Sequence, residues 1–364
     1  MADTTLPATV LPEDAAHRAV RQAYGLSVPA TVVGVAVLVG VGLFSATSGA
    51  AGLPVGGVLV ALVDWVPLLG LESSLSATQH DILFQIRLPR LALGLLVGGS
   101  LGLAGATYQG VFRNPLADPY LLGVSAGAGF GAVLALGFGL DLGWGPFDTV
   151  PAAAFVGALV AVMASMAIAR GGAASPATLL LGGVAMAALF SAAQTYAIQQ
   201  LDETRAREVL SWLFGQLNTS GWTQVWLLLP YTAVCGLVLV VHRRHLDVLR
   251  VGDDEARALG LDPVRSRLVV IVAASLLTAA AVSVSGLIAF VGLVVPHIVR
   301  LLIGHSYRVI VPLSALVGGA FLALVDVGAR TLVAPSELPV GVITAFVGAP
   351  FFALVLWRDR WNTP

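Results

Sequence analysis

Long apolar runs alternate with short polar connections along almost the whole chain. A membrane-spanning helix needs about 20 predominantly apolar residues, and ten of the runs approach that length. The pattern therefore predicts an all-α, polytopic membrane protein. Its ten spans are expected near residues 30–46, 88–107, 119–138, 151–169, 178–197, 223–241, 268–285, 287–303, 309–329 and 339–357.

The predicted organisation is one ten-helix transmembrane domain, residues 30–357, between tails at 1–29 and 358–364. A mostly polar stretch precedes the first span, so this span is interpreted as retained and not as a cleaved signal. Residues 47–86 form a long outer connection in which a short interfacial segment is expected.

The composition supports a membrane protein and excludes several functions. The chain is 57% hydrophobic and 11% charged, whereas a soluble domain has about 25% charged residues. Its net charge of −1 gives no basic face for nucleic acid. All 19 basic residues are arginine, so the phosphate-binding lysine of a P-loop is absent. If the protein depends on ATP, a separate ATPase must therefore use the ATP and Mg²⁺. The six histidines show no metal-site spacing and no HExxH or GxSxG motif occurs, so we expect no bound cofactor or metal and no enzymatic activity.

The distribution of arginine predicts the orientation. With the N-terminus in the cytosol, 14 of the 19 arginines fall on the inner side, as the positive-inside rule requires. Both termini are then cytosolic. Spans 2–5 and 7–10 lie five spans apart, so equivalent helices run in opposite directions, which is the arrangement of an inverted repeat.

Two groups of charged residues on the predicted outer side require an explanation, because the positive-inside rule disfavours arginine there. Arg87 and Arg90 lie at the outer mouth of span 2, and we interpret them as docking groups for carboxylates of a partner, with lipid headgroup contact or interfacial anchoring as the alternative. Asp326 and Arg330 are four residues apart in span 9, a spacing that allows direct pairing. An acid at this depth could instead couple transport to an ion.

The inner connection after span 6 predicts a short capped helix within residues 250–263. Acidic residues suit its first turn and Gly260 suits its C-terminal end. Such a helix could transmit force from a soluble motor. The candidate coupling residues are Gly252, Asp253, Glu255, Ala256, Arg257, Leu259, Gly260 and Asp262.

A polar turn with two prolines joins spans 2 and 3, and the small-residue segment at 121–128 continues it. Irregular backbone at this depth is tolerated only where protein or water satisfies it. The inner-loop and pathway candidates are Gln109, Arg113, Asn114, Pro115, Asp118 and Ser125.

Taken together, these segments resemble the FecCD-type permease family of cobalamin, haem and ferric-siderophore importers. The resemblance is carried by RLPR at 87–90, RNPLADP at 113–119, GDDEARALGLD at 252–262, GLIAFVGLVVPHIVRLL at 286–302 and SELPVGVITAFVGAPFF at 336–352. It covers most of the chain, from about Arg87 to the last span.

The resemblance implies a type II ABC importer permease in a bacterial cytoplasmic membrane. It implies a dimer, taken as a homodimer although a paralogous partner is open, with two cytosolic ATPases below and one substrate-binding protein above. Arg87, Arg90 and Arg330 would dock that binding protein, and the helix within 250–263 would enter the ATPase. Ser175 and Pro176 match the inner gate, although Pro176 and Ala177 depart from its hydroxyl pattern.

The predicted function is thus import of an iron chelate, a ferric siderophore or haem, with cobalamin as the alternative. An ion-coupled carrier would need titratable groups near the midplane, and only Asp326 qualifies. An intramembrane enzyme would need a nucleophile–base pair or a metal constellation, which the spans do not offer. A structural scaffold would explain neither the capped inner helix nor the outer arginines.

Overall fold

The computed structural model describes residues 28–49, 52–64, 73–139, 149–169, 175–217 and 221–361, and all regular secondary structure in them is helical. Residues 1–27 of the predicted N-terminal tail and residues 362–364 of the predicted C-terminal tail lie outside the described residues. The helices are α1 Val28–Thr47, α2 Val55–Asp64, α3 Ala77–Asp81, α4 Leu88–Val111, α5 Val124–Phe138, α6 Thr149–Ile168, α7 Pro176–Gln199, α8 Glu203–Leu213, α9 Thr223–Leu249, α10 Asp253–Ala258, α11 Pro263–Ser285, α12 Val291–Ile303, α13 Tyr307–Thr331 and α14 Val340–Trp361.

A helix occupies each of the ten predicted span positions. In the described part of the chain, seven helical segments are long and apolar enough to cross a membrane: α1, α3 continued through α4, α6, α7, α9, α11 and α13. Helices α5 and α12 and the apolar part of α14 are shorter. The all-helical, membrane-spanning architecture is confirmed, and the number of ten spans stays a prediction.

The start of the second span differs from the prediction. The span was predicted from residue 88, but the helical backbone begins at Ala77, where Ser76 and Gln79 form a capping box. A π-helical turn, Ile82–Arg87, joins α3 to α4, and the N–H of Leu88 donates to the carbonyl of Leu83, five residues back. The wider turn lets the helix continue into Pro89, whose ring would otherwise clash with the preceding turn.

Helix α4 lies at the centre and packs against α9, α11, α12 and α13. Glycines make this possible. A Cβ at Gly98 would overlap the backbone of Gly318 in α13, and a Cβ at Gly105 would overlap the backbone of Gly292 in α12. Close backbone approach of this kind holds helices together where lipid offers no hydrophobic driving force.

The two short helices α5 and α12 each follow non-helical backbone inside the protein. The first segment is 112–123 and the second is 286–290. Helix α5 starts after Gly123 (φ 79°) and α12 after Phe290 (φ 69°). In the predicted inverted repeat these helices occupy equivalent positions, so the interruption recurs in both halves, as in other transporters built from broken helices.

The α4–α12 contact generates the first prediction. Gly105→Ala should lower stability by about 1–3 kcal/mol or more, because the added methyl group has no space. Thermal unfolding of detergent-purified protein would measure the loss. The matched control is Gly40→Ala in α1, where an added Cβ meets nothing within 4 Å; it should keep or slightly raise the midpoint. Equal midpoints for both variants would contradict the close-packing argument.

Candidate functional sites at the two ends of α4

The outer end of α4 carries a buried ion cluster. The Nε of Arg90 lies 2.8 Å from Asp326 Oδ1, and the Nε of Arg330 lies 3.0 Å from Asp326 Oδ2. Nη1 of Arg90 also contacts Glu337 Oε2 at 2.9 Å. Asp326 is only 2% exposed, whereas the Glu337 side chain is 43% exposed. One buried carboxylate therefore joins α4 to α13, and a second, accessible carboxylate occupies the free side of Arg90.

The same cluster caps the end of α1. Arg87, which is 6% exposed, donates from Nη1 to the carbonyls of Ala46 (2.9 Å) and Thr47 (3.0 Å). Arg330 donates to the carbonyl of Ser48 at 3.1 Å and to Ser45. The last carbonyls of a helix have no partner within it, and cations are favourable there. These guanidinium groups supply the missing donors.

These positions give the outer arginines a structural reason. The predicted Asp326–Arg330 pair is confirmed, and the structure brings Arg87, Arg90 and Arg330 together in one cluster. Their side chains point into the subunit, to α1 and Asp326, instead of standing free at the surface. The predicted docking of a binding protein by these three residues stays a prediction. Glu337 lies in the segment 336–352, and no local sequence signal predicts its contact with Arg90.

The predicted inner helix is present as α10, with Asp253, Asp254 and Glu255 in its first turn. Gly252 precedes it, and Gly260 follows it with φ 81°. Asp262 belongs instead to the next helix. Its Oδ1 accepts from the N–H groups of Val264 and Arg265, which caps α11.

Asp253 fastens α10 to the rest of the protein. Its carboxylate contacts Nη2 of Arg267 in α11 at 3.0 Å and also Nη2 of Arg113 in the α4–α5 connection. Arg113 has φ 51° and donates through Nε to the carbonyl of Leu249 at 2.7 Å. Three elements therefore meet at one carboxylate, which we call the inner clamp: Arg113, Asp253 and Arg267.

The clamp is charged at neutral pH. Burial by itself would raise the pKa of Asp253, but the hydrogen bonds and charges of Arg267 and Arg113 hold its pKa below the usual range. A carboxylate with a lowered pKa stabilises the folded state above its unfolded pKa, and this contribution is lost as the pH falls through the lowered value. The clamp is thus intact near pH 7.

The other face of α10 is open. Ala256 is buried against the protein, whereas Glu255, Arg257 and Leu259 are exposed, Leu259 to 70%. Arg257 pairs with Asp254 on this surface at 2.7 Å. Helix α10 is anchored to the protein on one face, and beside its other face an apolar side chain is exposed next to charged residues. Such a surface can bind a second protein.

The inner-loop candidates form a hydrogen-bonded turn below α4. Buried Gln109 donates to the carbonyl of Leu293 (3.3 Å) and accepts from Nη2 of Arg300 (2.8 Å), linking α4 to α12. Asn114 accepts from the N–H of Leu116, and Asp118 accepts from the N–H of Tyr120. The remaining candidates are an exposed Pro115 and a half-buried Ser125.

Tyr120 joins the two non-helical segments, a role that sequence analysis missed. Its hydroxyl donates to the carbonyl of Ile288 (2.9 Å) and accepts from the N–H of the same residue (3.2 Å). Beside this junction an apolar cavity of about 590 Å³ is lined by residues from α8, the 286–290 segment and α14, among them Phe214, Leu287 and Phe346. Nothing in local sequence pairs residues 168 positions apart.

The gate candidates form the start of α7. Ser175 is its N-cap, accepting from the N–H of Thr178 at 3.2 Å, and Pro176 is the first helical residue. Residues 170–174, which precede them, lie outside the described residues. A gating role for Ser175 and Pro176 stays a prediction.

Comparison with known proteins adds to this geometry. The model of the FecCD transport family matches residues 35–358. The cobalamin import system permease protein of Halobacterium salinarum is 42% identical over 354 residues, covering 97% of this chain and 92% of that protein. The hemin transport system permease protein of Yersinia pestis is 39% identical over 295 residues, covering 79% and 87%.

A solved structure, described as an inward-facing metal-chelate type ABC transporter, aligns with a TM-score of 0.79 at 30% identity. The alignment covers 90% of this chain and 98% of that one. The similarity therefore extends through the α4 core and both of its charged ends.

The outer cluster predicts unequal roles for its two acids. Asp326→Asn should destabilise the protein by about 3–5 kcal/mol, because it leaves buried guanidinium charge without its partner. Glu337→Gln should cost at most about 1 kcal/mol, since its carboxylate is largely exposed. Unfolding midpoints in detergent would compare them. A small loss for Asp326→Asn, similar to that of Glu337→Gln, would contradict the assignment of Asp326 as the centre of the cluster.

Proposed function

Because the chain belongs to the FecCD transport family, we propose that it is the membrane-spanning permease subunit of an ATP-driven importer of an iron chelate, a ferric siderophore or haem. The observation that carries the proposal is α10, held by the inner clamp on one face and exposed on the other. The hemin permease of Yersinia pestis and the metal-chelate type transporter support an iron-containing cargo.

A separate cytosolic ATPase, in two copies, would bind ATP and Mg²⁺ and press on the exposed face of α10. The inner clamp would pass the movement in two directions. Arg267 connects it to α11, and Arg113 connects it to the segment that leads through Tyr120 to α5. Switching a two-state equilibrium from 1:99 to 99:1 takes about 5.5 kcal/mol of differential binding, which nucleotide at two sites can supply.

On the outer side we propose that a substrate-binding protein docks over the cluster of Arg87, Arg90 and Arg330. Arg90 holds a partner, Glu337, whose side chain is 43% exposed. An acidic residue of the binding protein would therefore compete with Glu337 for Arg90, while Arg87 and Arg330 remain engaged with α1.

We further propose that the subunit works as a homodimer in the bacterial cytoplasmic membrane, with both termini in the cytosol. Helix α7 supports this, because it presents apolar side chains all along an open face, among them Leu181, Val184, Leu189 and Tyr196. Lipid and a second copy would share such surfaces. An ion-coupled carrier is disfavoured, because Asp326 is already paired with both Arg90 and Arg330.

Cobalamin is the second candidate cargo. The Halobacterium cobalamin permease matches 97% of this chain at 42% identity, a longer alignment than that with the hemin permease. Both cargoes are bulky chelates, so the same path could pass either.

The coupling role of α10 predicts a specific loss. Leu259→Asp should reduce copurification of the neighbouring ATPase at least tenfold and abolish its stimulation by loaded binding protein in liposomes, because a charge replaces an exposed apolar contact. The control is Leu332→Asp, at the opposite end of the molecule, where the side chain is 69% exposed. Its ATPase binding should equal wild type. Normal ATPase binding by Leu259→Asp would overturn the coupling assignment.

The cargo is tested by uptake into liposomes that hold the whole complex and ATP. Labelled ferric siderophore, haem and cobalamin would be offered separately with the binding protein. We expect uptake of an iron chelate and none without ATP. Uptake of cobalamin alone would change the assigned cargo but would still support an ATP-driven importer. Uptake driven by a proton gradient without ATPase would contradict the assignment as an ATP-driven importer.

A further inference from the structure

A second group of charges lies at the inner end of α9, where none of the proposed steps takes place. Asp247, Arg250 and Arg308 line a common cavity there, and Arg243 lies near Arg308 and Arg244. The like charges of Arg243, Arg244 and Arg308 are close enough to repel one another. Between the end of α9 and the start of α13 a cavity of about 470 Å³ opens, lined by Asp247, Arg250, Val251, His305, Ser306 and Arg308. We call this cavity and its arginines the inner basic pocket.

Asp247, the acidic residue that lines the pocket, already accepts hydrogen bonds from α13 and the residue before it. Asp247 accepts from the hydroxyl of Ser306 (3.0 Å) and from the N–H of Tyr307 (2.8 Å), which satisfies the first turn of α13. Arg308 Nε lies 3.7 Å from the same carboxylate. One carboxylate with these tasks cannot neutralise four arginines, so the pocket has an excess of positive charge.

The remaining donors are incompletely matched. Arg250 donates from Nη1 to the carbonyl of His305 at 3.0 Å, and Arg243 donates from Nη1 to the carbonyl of Val240 at 2.8 Å. The buried Nε of Arg243 has no hydrogen-bond acceptor among the residues the structure describes. Neutral carbonyls leave the charge uncompensated, so an anion with several oxygens would fit these donors.

An apolar stripe leads directly to this pocket. On α9, Val234, Leu237 and Val241 are 64%, 65% and 61% exposed, and exposed Arg244 continues the same helical face. Residues spaced by three and four lie one above another on a helix. A surface that is apolar over several turns and then basic at the predicted inner boundary matches an acyl chain ending in an anionic headgroup.

We propose that the inner basic pocket binds the phosphate of an anionic phospholipid from the inner leaflet, with an acyl chain lying along the Val234–Val241 stripe. Basic residues beside an anionic leaflet each contribute about fivefold to binding, and pockets between spans on this side select acidic headgroups. The bound lipid would fix the end of α9 next to α10. The residues of the pocket belong neither to the outer cluster nor to the inner clamp.

The test is native mass spectrometry of the detergent-purified subunit titrated with phosphatidylglycerol or phosphatidylcholine. Wild type should prefer phosphatidylglycerol at least tenfold. The variant Arg250→Gln with Arg308→Gln should bind it about thirty-fold more weakly. The control, Arg265→Gln with Arg358→Gln, removes two exposed arginines from the same side and should retain wild-type affinity. Arg244→Gln alone, at an exposed position that cannot disturb the core, should lose about fivefold.

Four results would overturn the proposal. Equal binding of both lipids by wild type would remove the headgroup selectivity. Equal loss in the control pair would show a general charge effect. Competition by soluble glycerophosphate at the concentration of the lipid would indicate a free phosphate site, since the acyl chain would then contribute nothing. If wild type shows no lipid preference but the double variant loses the ATPase, the pocket is a protein contact instead.

Discussion

Direct backbone contact between α4 and its neighbours is the interaction on which the rest of this structure depends. Water drives soluble helices together, but lipid does not, so association in a bilayer rests on close packing. Gly98, Gly102 and Gly105 bring α4 against the backbones of α13 and α12, closer than any side chain permits. The two ends of α4 are then fixed relative to α13 above and to α11 and α12 below, and each end places charged groups where partners are expected.

The two charged ends differ in how firmly they are held. At the outer end Asp326 is almost completely buried between two arginines, and removing one partner of such a pair costs several kcal/mol. At the inner end the Arg113 and Asp253 side chains are 33% and 35% exposed, and a pair so accessible to water contributes about 0–1 kcal/mol. The Arg267 side chain, which also contacts Asp253, is only 3% exposed. The outer cluster therefore sets the position of α1, α4 and α13, while at the inner end the contact between Arg113 and Asp253 can be broken at small cost. That asymmetry suits a subunit driven from its cytosolic side.

Features of the structure that depend on residues close together in the sequence were predictable. Apolar runs located a helix at each expected span, the spacing of Asp326 and Arg330 gave their pair, and acidic residues with a following glycine gave α10. Contacts between distant residues were not predictable. Arg90 meets Glu337 across 247 positions, and Arg87 finds its carbonyl partners 41 positions earlier. The apolar run predicted a second span from residue 88, but it gave no signal of the π turn through which the helix extends back to Ala77.

The surroundings of the two non-helical segments explain why the residues of this chain do not identify the cargo. Backbone inside a membrane protein must be satisfied internally, and Tyr120 does this for Ile288 with both the donor and the acceptor capacity of its hydroxyl. The neighbouring cavity is then left with a mainly apolar wall. If this wall lines the path, it offers a chelate few charges or hydrogen bonds to hold it. Weak binding favours passage, because a cargo released from above is not trapped. In the proposed importer, selection of the cargo would then rest with the substrate-binding protein that we propose docks over Arg90.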